Sequence, residues 1–199
     1  MKGEHMQVKA VRAGKSQGYL TVVVTDGEER KTFTVSERDY LEAGSPRPGD
    51  EPDGDMLAAL SYSDENYRAR LHALRILSYA ENNERTLVRK LVSRGISHSL
   101  ATEVAHEMVG RGYIDEERQL ERLIITEANR NLIGPHRIKA KLSSKGYSGA
   151  DIDEIMGRLV DSGEIDFERS RKLLVEKKLT RGATDDEIKK LLYKNGYSV

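Results

Sequence analysis

The stretch Leu142-Ser-Ser-Lys-Gly146-Tyr-Ser148 decides the fold, because the chain contains it three times. The pattern Leu-x-x-x-Gly-[Ile/Tyr]-Ser also begins at Leu91 and at Leu192. The first two copies are 51 residues apart, and the third follows 50 residues later. Self-similarity at a fixed period is typical of stacked supersecondary units that bury their apolar faces against each other. The sequence therefore predicts a repeat protein that presents an extended binding surface.

A second pattern joins the end of one copy to the start of the next. It reads Gly112-Tyr-Ile-Asp115 and returns as Gly163-Glu-Ile-Asp166. Each aspartate stands where a side-chain oxygen can accept the free N–H groups of a helix's first turn. The glycine after each Leu-x-x-x fits a left-handed C-cap. Each copy therefore divides into three helices, except the third, which contains two before Val199.

The first forty residues follow a different pattern. Three segments, 7–11, 19–24 and 32–35, are rich in β-branched and aromatic residues and predict short strands joined as hairpins. A short helix begins after Ser36, and the Pro- and Gly-rich residues 43–55 predict an acidic linker.

These elements predict a mainly α fold behind a small N-terminal β-meander. The predicted first domain is the strand-rich region with its linker, residues 1–55. Two complete helical repeats follow at residues 56–114 and 115–165, and a truncated third repeat covers residues 166–199.

Composition excludes several classes of protein. The 199 residues include no cysteine, which excludes disulfides and thiolate metal sites, and no apolar run is long enough for a membrane span. We therefore expect a soluble, cytoplasmic protein. The 33 basic and 33 acidic residues balance, but residues 128–150 contain five cations and no acid. Such a local basic face can attract an anionic partner although the whole chain is neutral.

Motifs for catalysis, metals and nucleotides are incomplete. His106-Glu107 lacks the second histidine of a zinc helix, because Gly110 stands at that position. Gly110-Arg-Gly112 lacks the third glycine of a dinucleotide loop, and no Walker phosphate loop occurs. Residues 50–55 are acidic but lack calcium-loop spacing. We predict no catalytic residue, no metal site and no cofactor, and hence no enzyme.

The remaining candidate is a set of basic residues at matching positions in the copies. Lys90 and Lys141 occupy one slot of the repeat, and Arg94 and Lys145 occupy another, four residues later on the middle helix. One interpretation is an ordinary solvated face, and the other is a basic strip across successive repeats that binds a partner or DNA. The predicted binding residues are Arg89, Lys90, Arg94, Arg130, Arg137, Lys139, Lys141, Lys145, Lys189, Lys190 and Lys194.

With the repeat laid out in this way, the chain resembles the RecX family of bacterial regulators of the RecA recombinase. Three motifs carry the resemblance, which covers residues 64–199. They are Ala73-Leu74-x-x-Leu77, Gly112-Tyr-Ile-Asp115-Glu116-Glu117, and Arg130-x-x-x-Gly134-x-x-x-Ile138-x-x-x-Leu142-x-x-x-Gly146.

The resemblance implies an elongated, curved array of three-helix repeats that acts as a monomer. It also implies binding to the RecA filament on single-stranded DNA, with inhibition of filament growth, ATPase, strand exchange and coprotease activities in recombination and the SOS response. Two alternatives stay open. One is a stand-alone nucleic-acid-binding module that contacts single- or double-stranded DNA without RecA, and the other is a generic scaffold. On the main interpretation, changing Lys141 and Lys145 to glutamate weakens inhibition and leaves helicity unchanged.

Overall fold

The computed structural model describes residues 6–180 and 182–198, and it confirms a mainly helical chain with a small antiparallel sheet near its start. The chain divides into two compact units, which we describe separately. Unit one comprises the residues up to Tyr79 together with Leu91–Val104, and unit two comprises Ala80–Lys90 and the residues from Ala105 onward. The repeat boundaries predicted from the sequence stay predictions.

The sheet of unit one is a meander in the order β1-β2-β3, with β1 (Gln7–Ala13), β2 (Tyr19–Thr25) and β3 (Arg30–Ser36). All neighbours are antiparallel, and Val22 of β2 pairs with Phe33 of β3. Alternation along the strands buries one face of the sheet. The buried cluster on that face contains Met6, Val8, Val22, Val24, Phe33, Val35 and Leu60.

The partner surface of this sheet is a long helix. After α1 (Glu37–Glu42), α2 (Gly54–Tyr79) supplies Leu60 to the sheet's core. The backbone N–H of Thr34 in β3 donates to Oδ1 of Asp64 at 2.8 Å. Asp64 lies 51 residues before Asp115, at the matching position of the repeat. It is nevertheless buried inside α2 and accepts from a strand N–H instead of capping a helix N-terminus.

The rest of the chain is helical. Helices α3 (Glu84–Val92) and α4 (His98–Gly110) have residues in both units. In unit two, α5 (Glu116–Ile125) continues directly into a π-helical turn (Thr126–Arg130). The helices that follow are α6 (Pro135–Ser144), α7 (Gly149–Asp161), α8 (Phe167–Lys178) and α9 (Asp185–Lys194).

The helix ends have the predicted chemistry. Asp115 and Asp166 cap α5 and α8, and their side chains accept from the backbone N–H three residues later. Thr184 and Glu187 form a complete capping box on α9. The glycines of the three signature copies all have positive φ, at 85°, 101° and 84°, which confirms the left-handed caps.

Two apolar clusters hold unit two together. The larger joins α5, α6 and α7 through Leu120, Ile124, Ala128, Ile138, Leu142, Ile152, Ile155, Leu159 and Ile165. The smaller joins the third repeat to the second through Leu132, Leu174, Leu192 and Tyr197. The two helices of the truncated repeat therefore bury their apolar face against the preceding repeat, and Tyr193 of that repeat is left 76% exposed.

Candidate partner-binding site

The middle helices of successive repeats meet end to end in unit two, and the first meeting joins α6 to α9. The Gly134 N–H donates to the Asn195 carbonyl at 2.8 Å, and the His136 N–H donates to the Gly196 carbonyl at 3.2 Å. A Cβ added to Gly134 would lie 2.5 Å from the Gly196 oxygen. Backbone therefore touches backbone, and no side chain fits between the two helix ends. We call this the glycine junction.

The second meeting joins the start of α3 to the end of α6. Asn83 occupies the position of the repeat that matches Gly134, 51 residues earlier, and its side chain bridges the gap between the two helices. Its Nδ2 donates to the Lys145 carbonyl at 3.1 Å, and its Oδ1 accepts from the Thr86 N–H at 2.9 Å. Arg85 packs across Gly146, where an added Cβ would lie 3.0 Å from Arg85 Cδ. We call this the cleft junction.

A cleft of about 340 Å³ opens at the cleft junction, and Arg89 and Lys145 are its cationic lining residues. The Tyr147 hydroxyl donates to Oε1 of the buried Gln119 at 3.2 Å. Burial, with a smaller effect from the Glu116 carboxylate, raises the pKa of Tyr147, so the hydroxyl stays a neutral donor near pH 7. The full lining is Glu81, Asn82, Asn83, Thr86, Arg89, Gln119, Leu123, Ser144, Lys145 and Tyr147.

Lys141, which the sequence places on the basic face, has a structural contact instead. Its Nζ lies 2.5 Å from Oε1 of Glu127, which is only 5% exposed, and Asn131 Nδ2 donates to the other carboxylate oxygen at 2.9 Å. Burial acts to raise the pKa of Glu127. The hydrogen bonds from Lys141 and Asn131 and the charges of Lys141 and Lys145 outweigh it, so the pKa is lowered. We therefore expect that changing Lys141 to glutamate lowers stability as well as removing a cation, because it would place a second acid beside the buried Glu127 carboxylate.

Other predicted basic residues also contact groups of their own unit. The contacts are Lys139 with Asp153, Lys90 with Asn82, and Arg137 with the carbonyl of Lys194. Within residues 6–180 and 182–198, the structure shows no acidic side chain in ion-pair range of Arg89, Arg130, Lys145, Lys189, Lys190 and Lys194. The cleft junction brings two of these, Arg89 and Lys145, to one surface.

Arg94 and Lys145 both lie in turns, because α3 ends at Val92 and α6 ends at Ser144. Arg94 belongs to unit one, where it lines a depression of about 420 Å³. We call this the arginine groove, and its lining residues are His72, Arg75, Ile76, Tyr79 and Arg94. Of these five, only Arg94 is among the binding residues predicted from the sequence. A usable signal exists, because residues 66–80 contain three arginines and one histidine and no acid.

No constellation for metal binding is found in the part of the chain that the structure describes, where no three His, Cys, Asp or Glu side chains converge. Among the same residues, none of the helices has both the length and the apolar character needed to cross a bilayer.

The helical repeats and their end-to-end junctions define a class, the tandem three-helix repeat proteins. A scan against models of protein families finds no match. Among individual proteins, the chain is 30% identical over 114 residues to the regulatory protein RecX of Stenotrophomonas maltophilia K279a. That alignment covers 57% of this chain and 67% of the relative. The chain belongs to the RecX family, and the resemblance drawn from the sequence is confirmed.

Longer alignments agree with this assignment. The regulatory protein RecX of Bacillus licheniformis is 26% identical over 174 residues, covering 86% of this chain and 66% of the relative. That of Limosilactobacillus reuteri DSM 20016 is 25% identical over 167 residues, covering 84% and 61%. The chain thus spans somewhat under two thirds of these two relatives.

Solved structures confirm the fold. A crystal structure of regulatory protein RecX superposes with a TM-score of 0.73 at 22% identity, covering 97% of this chain and 95% of the other. The structure of RecX from Lactobacillus salivarius gives a TM-score of 0.57 at 22% identity, covering 68% and 90%.

Proposed function

We propose that this chain regulates the RecA recombinase by binding its filament on single-stranded DNA. Binding inhibits filament growth, ATPase, strand exchange and the coprotease activity that serves the SOS response. Membership of the RecX family supports the regulatory role. The chain acts as a cytoplasmic monomer by occupying its partner, without a catalytic step of its own.

The cleft junction is the observation that carries the proposed contact. Its two cations, Arg89 and Lys145, have no acidic partner in range among the described residues, and the cleft between them is wide enough to admit a side chain or a phosphate. Asn82 and Tyr147 add polar groups beside them. A partner that brings acidic groups into this cleft gains ion pairs without breaking any within the chain. Charge pairs of this kind set orientation and association rate as much as affinity.

The experiment is RecA ATPase on single-stranded DNA, measured with substoichiometric amounts of this protein. The test variant is the double change Arg89→Ala and Lys145→Ala. The first change places in repeat one the residue that repeat two has in the same slot, Ala140. We expect inhibition to require about tenfold more of the variant, because two charge contacts of about 0.7 kcal/mol each are lost.

A matched control is the double change Lys177→Ala and Lys178→Ala on α8, which removes two exposed cations that lie outside both the cleft and the predicted binding set. We expect it to retain most of the inhibition. The wild-type protein leaving ATPase rate and filament length unchanged would overturn the function. Equal inhibition by wild type and by the cleft variant would overturn the site. Lys141 is left unchanged, since its ion pair with Glu127 is structural.

A further inference from the structure

The arginine groove in unit one takes no part in the proposed contact with RecA, and its lining combines cationic and aromatic side chains. His72, Arg75 and Tyr79 follow at i, i+3 and i+7 on α2, so they share one helix face. Arg94 completes the lining from the turn after α3, and Ile76 is the buried residue beneath. The Tyr79 ring is 78% exposed at the last residue of α2. An aromatic ring thus stands in solvent, flanked by cations.

Along the C-terminal part of α2 the charge is one-sided. No acid occurs from residue 66 to residue 80. Two nearby arginines are occupied, because Arg68 pairs with Asp64 at 2.7 Å and Arg70 donates to the Tyr19 hydroxyl at 3.0 Å. Within residues 6–180 and 182–198, the structure gives the Arg75 guanidinium no hydrogen-bonded or acidic partner. The groove therefore combines an available guanidinium with an available ring.

We propose that the arginine groove binds single-stranded nucleic acid directly. One base stacks on the Tyr79 ring, and the Arg75 guanidinium contacts a phosphate beside it. Aromatic side chains in a cationic groove bind unpaired strands because every base has a face to stack. A duplex keeps its base faces covered, so it can offer only its phosphates. An acidic protein surface could pair with the arginines but would offer nothing to stack on the exposed ring. We therefore favour single-stranded nucleic acid as the ligand.

This binding needs no recombinase, and it is tested without one. Fluorescence anisotropy with labelled oligothymidylate measures affinity for the single strand, and a duplex of equal length is the comparison. Tyr79→Ala removes the ring and Tyr79→Phe keeps it. Arg75→Ala removes a phosphate contact. Tyr113→Ala is the control, since Tyr113 is an exposed tyrosine that lines a cleft with Glu81 and Asp115.

We expect Tyr79→Ala to weaken oligothymidylate binding at least about fivefold, with Tyr79→Phe and Tyr113→Ala close to wild type. Arg75→Ala should lower the salt dependence by about one counterion. Because the Tyr79 side chain is exposed, its loss leaves the core intact, and an unchanged urea midpoint verifies this. Full affinity in Tyr79→Ala, equal affinity for duplex, or displacement by polyglutamate as readily as by unlabelled oligonucleotide each overturns the proposal. RecA inhibition is a separate readout, so the two proposals can fail independently.

Discussion

The glycine junction and the cleft junction occupy matching places in the repeat, yet one is sealed and the other is open. At the glycine junction, Gly134 and Gly196 bring backbone onto backbone. At the cleft junction, Asn83 reaches across to the Lys145 carbonyl with its side chain, and a cleft of about 340 Å³ remains. Matching positions of the repeat therefore pack two helix ends together at the glycine junction and leave an open cleft at the cleft junction.

The same contrast appears in the tyrosines that follow the signature glycines. Tyr197 is 5% exposed and donates to the Leu132 carbonyl at 3.1 Å across the glycine junction. Tyr147 is only partly buried and lines the open cleft. A residue type that recurs with the period therefore serves packing at one junction and presents a donor at the other.

Adding a methyl group at the glycine junction should have the largest effect. In Gly196→Ala, positive φ is strained and the new Cβ would overlap the backbone and Cβ of Arg137. We expect a loss of about 3 kcal/mol or more in the free energy of unfolding, measured in urea. Gly146→Ala at the cleft junction should cost about 1–2 kcal/mol, because it meets only the flexible Arg85 side chain. Equal losses would contradict the difference in closeness between the junctions.

Removing a lysine from α6 should have the next-largest effect, and the two lysines that form ion pairs there should differ. Lys141→Met leaves the buried Glu127 carboxylate without its cation, and we expect a loss of about 2 kcal/mol, reduced from that of a fully buried pair by the exposure of Lys141. Lys139→Met, which breaks an exposed pair with Asp153, should cost less than about 1 kcal/mol. Urea unfolding of both variants measures the two losses, and a larger loss for Lys139→Met would contradict the structural role of Lys141.

The Glu127 pair also has a pH signature. Its folded-state pKa is lowered from the usual 4.5, so the pair stabilises the fold above that pH and the contribution is lost as pH falls through the folded value. Glu127→Gln should therefore lose less stability than wild type when urea unfolding is compared at pH 7 and in acid below pH 4.5. Identical acid profiles would count against the ion pair.

Asn83 has two contacts, and its substitution should have a smaller effect than the loss of Lys141. Asn83→Ala removes both the cap on Thr86 and the bridge to Lys145, for an expected loss of about 1–2 kcal/mol in urea unfolding. Asn83→Gly copies the glycine of the other junction and, if the helix ends move together, should recover part of that loss. Should glycine prove worse than alanine, the two junctions do not share one plan.

The smallest expected effect is on the tyrosine hydroxyls. Tyr197→Phe should cost about 1 kcal/mol, and Tyr147→Phe somewhat less because that residue is more exposed. Burial raises the pKa of Tyr197 to about 12, so its neutral form stabilises the fold below pH 10 and this contribution is lost as pH rises toward 12. Thermal unfolding between about pH 9 and pH 11 checks it, and a Tyr197→Phe variant with the same alkaline profile as wild type would refute it.

Patterns local to one element were predictable, and contacts between elements were not. The caps at Asp115 and Asp166 follow from spacing alone, since a cap and its N–H are three residues apart. The partner of Lys141 lies 14 residues away on the π-helical turn, and helix periodicity says only which residues share a face. Whether a neighbouring element presents an acid to that face depends on packing.

Arg89 shows the same limit from the other side. Its slot contains alanine in the second copy, so comparison of copies gave it no special weight. The cleft becomes evident only when the α6–α7 turn is seen beside α3 within unit two. The three strands of the sheet were predicted, but their packing on α2 through Asp64 was not. That contact exists because α2 continues through Asp64 instead of beginning there.

The middle helices of the second and third repeats, α6 and α9, begin in different ways, and this difference gives the array a direction. Helix α6 has Gly134 as its N-cap and so no side-chain cap, and the N–H groups of Gly134 and His136 donate to carbonyls just after the end of α9. Helix α9 begins with its own capping box of Thr184 and Glu187. Dependence thus runs one way: α6 needs its successor to complete its first turn, whereas α9 needs none. We expect damage to α9 to fray α6, while damage at the start of α6 leaves the first turn of α9 protected, a polarity that amide exchange can read residue by residue.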